Sequence, residues 1–592
     1  MTCEVNMTTL TNRERVTPEA HRLRSVRTNA LIYQEGIYGW RMLKRVILYG
    51  LCTALAFCIS PPATADPASP YVIRSDRWSQ EDEEGYSRFI QAIGESDCST
   101  LDSCLRSPAN PFFGSDPPEL RFAADCSDLT YLLRFYYAWK KGLPFSYVSG
   151  VASRDGRGGD IRYSHAGNRV TARTDVLSGA SVGRVLGQLR EAVSSASYRI
   201  HPEAGKPLPD FYSPAIRPQA IRPGTVIYDP AGHVATVYRV DPDGRVHSID
   251  GHTDFTLTQI TYDVRFARTE PAKGAGFKNW RPVRLVGAKQ MPDSTFEGGH
   301  IVAAANAEIP DYSLEQYYGN GKRPADKHWQ DGSFTLNGEQ LGYYDFVRGR
   351  LAGGKLLFDP LQEVKNVTRA ICSDLRYRTL AVQLAVTEGI AQKPQPPRLP
   401  RNIYGTSGDW ETYSTPSRDA RLKTLFKYLR DTVQRFVEMA SHKDTAHLNY
   451  DGEDIAGDML RVYYDTTRFC PVQYRRNDGS TVTLTYEEAR QRLFAMSFDP
   501  YHCPERRWGA TDAAELSTCP DDTEKQAWYE AEQNLRNQTD RTYDARMDFT
   551  LEQLRLPGAG KGVPFPPDTD VIGYLERIRE LAREPFQPVS AR

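Results

Sequence analysis

Residues 222–252 read Arg222-Pro-Gly-Thr-Val-Ile-Tyr-Asp-Pro-Ala-Gly-His233-Val-Ala-Thr-Val-Tyr-Arg-Val-Asp-Pro-Asp-Gly-Arg-Val-His-Ser-Ile-Asp250-Gly-His252. Three strands are expected here. Thr225–Tyr228 is short and apolar, His233–Val240 alternates with β-branched residues, and Arg245–Asp250 follows a Pro-Asp-Gly turn. The last two therefore form a hairpin. Pairing Val240 with Arg245 sets Ala235 opposite Asp250 and His233 opposite His252. His233, Asp250 and His252 then share one face, and His247 points to the other. A slip of one residue would reverse that parity.

An imidazole held by a carboxylate is half of a nucleophilic site, because the carboxylate fixes the tautomer and stabilises the imidazolium. The candidate nucleophile lies upstream, in Asp125-Cys126-Ser127-Asp128. Leu129, Leu132, Leu133, Tyr136 and Trp139 repeat with a helical period, so a helix is expected to begin close to Cys126. A cysteine at a helix N-terminus is expected to have a lowered pKa. The helix-start N–H groups are expected to serve as oxyanion donors.

The chain has 592 residues, enough for more than one domain. Its net charge of −1 argues against a nucleic-acid partner. Residues 1–41 are polar. From Met42 a basic start, an apolar run over Val46–Ile59 and an Ala63-Thr-Ala65 end make a secretory signal with cleavage after Ala65. The expected location is periplasmic or secreted, with membrane contact only through that signal; a signal anchor is the alternative.

Export makes the cysteines informative. Of ten, Cys3, Cys52 and Cys58 leave with the leader, and seven is odd. Cys98 with Cys104 and Cys503 with Cys519 would close small loops, and Cys372 with Cys470 would join two distant elements. Sequence does not dictate connectivity. That pairing leaves Cys126 over; the bland alternative is a buried free thiol.

The fold class expected is α+β for residues 66–287, with the nucleophile on a helix and the base on an antiparallel sheet. Helices are expected at about Gln80–Ala92 and Val182–Ser195, and loops at Ser149–Gly167 and Gly274–Trp280. Residues 288–330 read as a polar linker. Residues 331–592 read as a helical domain with one hairpin around Asn477-Asp-Gly, Thr485–Glu488 as a capping box, and one long helix from Thr523 to about Leu554. Asp409 and Glu411 beside Trp410 offer a weak glycan-cleaving alternative. No cofactor is expected. A metal on His247, Asp250 and His252 is disfavoured, since no His-Glu-x-x-His or Cys-x-x-Cys pattern accompanies them.

Asp125-Cys126-Ser127 opening an amphipathic helix, with Pro223-Gly-Thr-Val-Ile-Tyr and Gly232-His233-Val-Ala-Thr-Val, resembles the NlpC-type cell-wall peptidases and the CHAP amidohydrolases of the papain-like superfamily. The resemblance covers residues 116–287. It implies Cys126 as nucleophile, His233 as base and Asp250 as the orienting residue, with His252 as a fourth polar member and His247 as the alternative third. It implies hydrolysis of an amide, with peptidoglycan or another peptide as substrate. Asp128 stands where the family usually has glycine, and residues 146–215 look like an insertion. A non-catalytic envelope scaffold that keeps the papain-like shape is the second reading.

Overall fold

Cys126 and His233 are brought into one place by a six-stranded antiparallel sheet and the helices that cover it. The computed structural model describes residues 70–583, apart from 254, 269, 322–327, 402–407, 540–546 and 560–562. The expected leader and signal, and Asn402–Ser407 of the loop before Trp410, lie outside the described residues. All the described residues belong to one compact unit.

The chain opens with α1 (Gln80–Gly94), which has a capping box of Ser79 and Asp82. The Cys98–Cys104 disulfide ties down α2 (Leu101–Leu105). Helix α3 (Leu129–Lys141) follows the cysteine turn and stops at Gly142, whose φ of 66° is the left-handed cap that ends it. The segment expected as an insertion holds a hairpin, β1 (Phe145–Ser153) with β2 (Asn168–Val176), and α4 (Val182–Ala192). The glycine-rich reading of Ser149–Gly167 as a loop is thus corrected at its start. Val148 and Val170 pack with Ile200 and hold that hairpin in place.

The main sheet contains β3 (Phe211–Tyr212), β4 (Val226–Asp229), β5 (His233–Val240), β6 (Val246–Gly251), β7 (Leu257–Thr261) and β8 (Gly276–Trp280), in the order β3-β8-β4-β5-β6-β7. Gly274–Trp280 is therefore not a terminal loop. Strand β8 lies between β3 and β4, with Phe277 fully buried. The glycines at its entry masked its Phe/Asn alternation. Val226, Tyr228, Val234, Tyr238 and Ile249 pack on α1 and α3, whereas Ile227, Ala235, Val237, Val246 and Phe277 face a second core. That core includes α6 (Tyr343–Leu351), from beyond residue 330.

Residues 288–330 are built into the fold rather than forming a linker. His300–Ala303 pairs with β9 (Val283–Val286). On α5 (Glu315–Tyr318), Gln316 accepts from the Phe277 N–H (2.8 Å) and donates to the Phe277 carbonyl (3.0 Å), closing the sheet's unpaired backbone with a side chain.

The helical half contains α7 (Pro360–Thr387), α8 (Gly408–Tyr413), α9 (Pro416–Ser441) and α10 (Ile455–Thr467) around an apolar core, with a hairpin of Val472–Arg475 and Thr481–Leu484. Thr485 and Glu488 form the expected capping box. Among the described residues, the expected helix from Thr523 to Leu554 is instead three short ones, Thr523–Ala531, Gln533–Arg536 and Leu551–Leu554. After the second, the Asn537 side chain bonds to the Val563 and Pro564 carbonyls, a tertiary contact that competes with helix continuation. Cys372–Cys470 and Cys503–Cys519 are bonded, and Cys126 is free.

Candidate active site

The hairpin turn is one residue longer than the expected pairing requires. The Asp241 N–H donates to the Arg245 carbonyl (2.8 Å), and Gly244 takes a φ of 82°, giving a three-residue loop with glycine in the left-handed position. Val240 therefore pairs with Val246, not Arg245. A β-bulge at Tyr238, between the Val237 and Arg239 pairings, then restores the expected alignment, with Thr236 opposite Ile249. Two offsets cancel, so Asp250 and His233 end on one face.

His233 Nε2 lies 2.7 Å from Asp250 Oδ2. The Thr258 hydroxyl donates to Asp250 Oδ1. With that proton committed, the Thr258 oxygen accepts from His252 Nε2 at 3.0 Å, which fixes His252 as a donor. His252 is 3.9 Å from Asp250 and stacks on Tyr377 of α7, with ring centroids 4.4 Å apart. Burial works against ionising Asp250, but the His252 and His233 charges and the His233 and Thr258 hydrogen bonds hold its carboxyl well below the usual range. His247 lies elsewhere, 2.7 Å from Asp241 and beside the Tyr238 ring. Among the described residues, His247, Asp250 and His252 do not form a metal-ligand cluster.

Cys126 sits in the turn just ahead of α3. Its Sγ is 3.9 Å from the Gly232 carbonyl, the residue before His233. Gly232 has a φ of 85°, a conformation that glycine supplies cheaply. The end of β6 also abuts this turn: a Cβ on Gly251 would lie 2.7 Å from the Asp125 carbonyl carbon. Cys126, His233, Asp250 and His252 line one cavity of about 310 Å³. So do Tyr163, Ser194 and Ser195 from the β1–α4 region, and Asp374, Tyr377, Arg418 and Arg421 from the helical half. Sequence reasoning missed these. Nothing periodic marks Tyr163, and Arg418 and Arg421 read as an ordinary charged helix face.

The protonation state corrects the expectation of a thiolate. Burial and then the Asp125 charge push the Cys126 thiol up, with Asp250 and Asp128 adding to it and the Val234 N–H working the other way. The helix start offers little relief. Asp125 Oδ1 already accepts from the Ser127 N–H (2.7 Å) and the Asp128 N–H (3.2 Å), so these are not open oxyanion donors. Asp128, where the resembling family has glycine, accepts no capping bond from α3 and instead accepts the Asp125 N–H at 2.6 Å. Burial and then Asp125 raise its carboxyl to about 8. Burial, followed by the Arg421 charge, lowers His233 to about 4 despite Asp250. At neutral pH the cleft thus holds a neutral thiol and a neutral imidazole. His233 Nε2 faces Asp250, which leaves Nδ1 as the ring nitrogen not turned to the carboxylate.

Asp409 and Glu411 are ion-paired: Asp409 with Lys393 at 2.7 Å, and Glu411 with Arg162 at 2.5 Å. Trp410 is buried in a core. Carboxylates so tied are poorly suited to protonating a glycosidic oxygen. Compared with known proteins, the chain matches no protein-family profile, no curated protein and no solved structure.

Proposed function

We propose that this chain is an exported cysteine-dependent amidase or peptidase with a papain-like catalytic half. The substrate class implied by the resemblance is peptides, those of peptidoglycan first. The observation that carries this reading is the convergence of the free thiol Cys126 and the His233–Asp250 pair in one cavity. Cys126 adds to the amide carbonyl as its proton passes to His233 Nδ1. His233 then protonates the leaving amine, which departs and leaves a thioester. Water, deprotonated by His233, releases the carboxylic acid and restores the thiol. Asp250 holds the Nε2–H and compensates the imidazolium during both transfers.

The second reading is a binding scaffold that has kept the shape without the chemistry. One observation favours it: burial and the acids around Cys126 stabilise the thiol. The experiment is amine release from peptidoglycan fragments and short peptide amides by the purified full-length chain, beside Cys126→Ala and His233→Ala. Release by the wild type that both substitutions abolish supports the hydrolase. Release equal in Cys126→Ala, or none from any substrate, supports the scaffold.

A further inference from the structure

Away from the cleft, three segments of the helical half converge on one buried point. Asp499, His502 and Glu532 each offer a ligand atom there, and these atoms all lie within 4.8 Å of one another. Asp499 and His502 belong to the stretch that leads into Cys503, which the disulfide to Cys519 holds. Glu532 ends the Thr523–Ala531 helix. The third segment brings Gln395, whose Nε2 donates to Asp499 Oδ2 at 2.6 Å. Asp499 and Glu532 are fully buried, His502 is 1 % exposed and Gln395 8 %.

Donors and acceptors do not balance at this point. Glu532 Oε1 and Oε2 and Gln395 Oε1 have no hydrogen-bond partner among the described residues. Arg536 lends charge without a hydrogen bond. Its Nη1 is 3.7 Å from Glu532 Oε2 but donates to the Tyr529 carbonyl (2.5 Å), and its Nη2 donates to the Gln533 side chain (2.7 Å). Lys525 Nζ is committed to the Ala391 and Tyr501 carbonyls. A buried carboxylate without a donor is costly unless something compensates it. One proton shared between Asp499 and Glu532 would still leave Gln395 Oε1 and a Glu532 oxygen unmet, whereas a divalent cation meets them together. His502 is held as a ligand would be. Its Nε2 lies 3.1 Å from the Lys525 carbonyl, which only accepts, so the proton is on Nε2 and the lone pair on Nδ1. Ligating histidines commonly rest their other ring nitrogen on a backbone carbonyl in this way. The Ser497 hydroxyl donates to Nδ1 at 2.7 Å and has to turn away from an incoming ion.

We propose that Asp499, His502 and Glu532, with the side-chain oxygen of Gln395, form a structural site for a divalent transition-metal ion, zinc or manganese. Two carboxylates, an imidazole and an amide oxygen suit such an ion, whereas calcium takes oxygen ligands. All four side chains are buried, so the site is closed and serves structure rather than the activation of water. The ion ties the stretch before Cys503 to the Thr523–Ala531 helix and to Gln395, and so staples the same loop as the Cys503–Cys519 disulfide. This site is independent of the hydrolase reading.

The test uses the untagged full-length chain, dialysed against chelator and then titrated with zinc or manganese alone. The expected result is about one ion per chain retained through gel filtration, and a melting temperature at least a few degrees higher with the ion than without it. Glu532→Gln and Asp499→Asn should each weaken binding by at least about tenfold. X-ray absorption of the zinc-loaded wild type needs no variant to fold, and should show oxygen neighbours, one imidazole and no sulfur. No retained ion with no change in melting temperature overturns the site. Binding unchanged in both variants overturns it too, as does a shell that contains sulfur or several imidazoles.

Discussion

The hairpin of β5 and β6 carries two histidine–aspartate pairs of the same length. His233–Asp250 and His247–Asp241 both measure 2.7 Å. They lie on opposite faces of one sheet, yet their surroundings differ. The Asp250 side chain is 1 % exposed and receives Thr258 as well, and its histidine adjoins the turn that bears a free thiol. The Asp241 side chain is 27 % exposed and shares its carboxylate with Arg239, and its histidine lines a wider cavity of about 670 Å³. A short imidazole–carboxylate contact is therefore not a site. What separates the two is a neighbouring free thiol and the burial of the carboxylate.

The sharpest way to break this comparison is to remove each member. Cys126→Ala should lower kcat/KM on a cleaved peptide amide by more than about 1000-fold, and His233→Ala by about 100- to 10,000-fold. His247→Ala should leave it within about twofold. If His247→Ala matched His233→Ala, the distinction between the faces would be lost.

Stability separates them next. His233 titrates near 4 in the folded chain against 6.5 in an unfolded one. Between those values the unfolded chain binds a proton the folded one excludes, so stability is retained above about pH 6.5 and lost as pH falls toward 4. Relative to His233→Gln, the wild type should gain roughly 2 kcal/mol from pH 5 to pH 7 in chemical denaturation. No pH-dependent gap between the two proteins would place His233 in water.

A smaller effect concerns Asp128. Its carboxyl is raised to about 8, so it ionises beside the cysteine turn only as pH passes that value. Asp128→Asn should label with iodoacetamide like the wild type at pH 7 and about threefold faster at pH 9. The sign for stability is opposite to that of His233. The folded chain holds this proton up to about 8 while an unfolded aspartate releases it near 3.8, so stability is lost as pH rises across that window, and the substitution should remove that loss. The smallest change expected is Thr258→Val. It removes one donor to Asp250 and the acceptor for His252, and should reduce kcat by about tenfold or less with KM nearly unchanged. An equal rise in KM would give Thr258 a substrate contact instead.

Much of the arrangement was legible from local pattern. The odd cysteine count left one thiol over, one choice of pairing made it Cys126, and the period of α3 put that residue near a helix start. Alternation placed Asp250 and His252 on one parity and His247 on the other. The expected register was off by one at the turn, because Pro242-Asp243-Gly244 closes a three-residue loop, and the bulge at Tyr238 took that residue back. A bulge answers to the packing of Tyr238 against α1, which no alternation in β5 announces. Strand β8 was passed over because its glycines look like loop, and residues 288–330 because a side chain, Gln316, does the work of a strand.

By itself the sequence determined the candidates for the chemistry: a thiol near a helix start, an imidazole and a carboxylate on one face of a hairpin, and an odd number of cysteines after the leader. Those follow from periodicity and counting, which are properties of the chain near each residue. Tertiary structure decided the charge state and the cleft. It brought Tyr377, Arg418 and Arg421 of the helical half into one cavity with Cys126, His233 and Asp250, and desolvated the thiol. Desolvation and Coulomb energy depend on distance through space, and distances between remote parts of a chain exist only once the chain has folded.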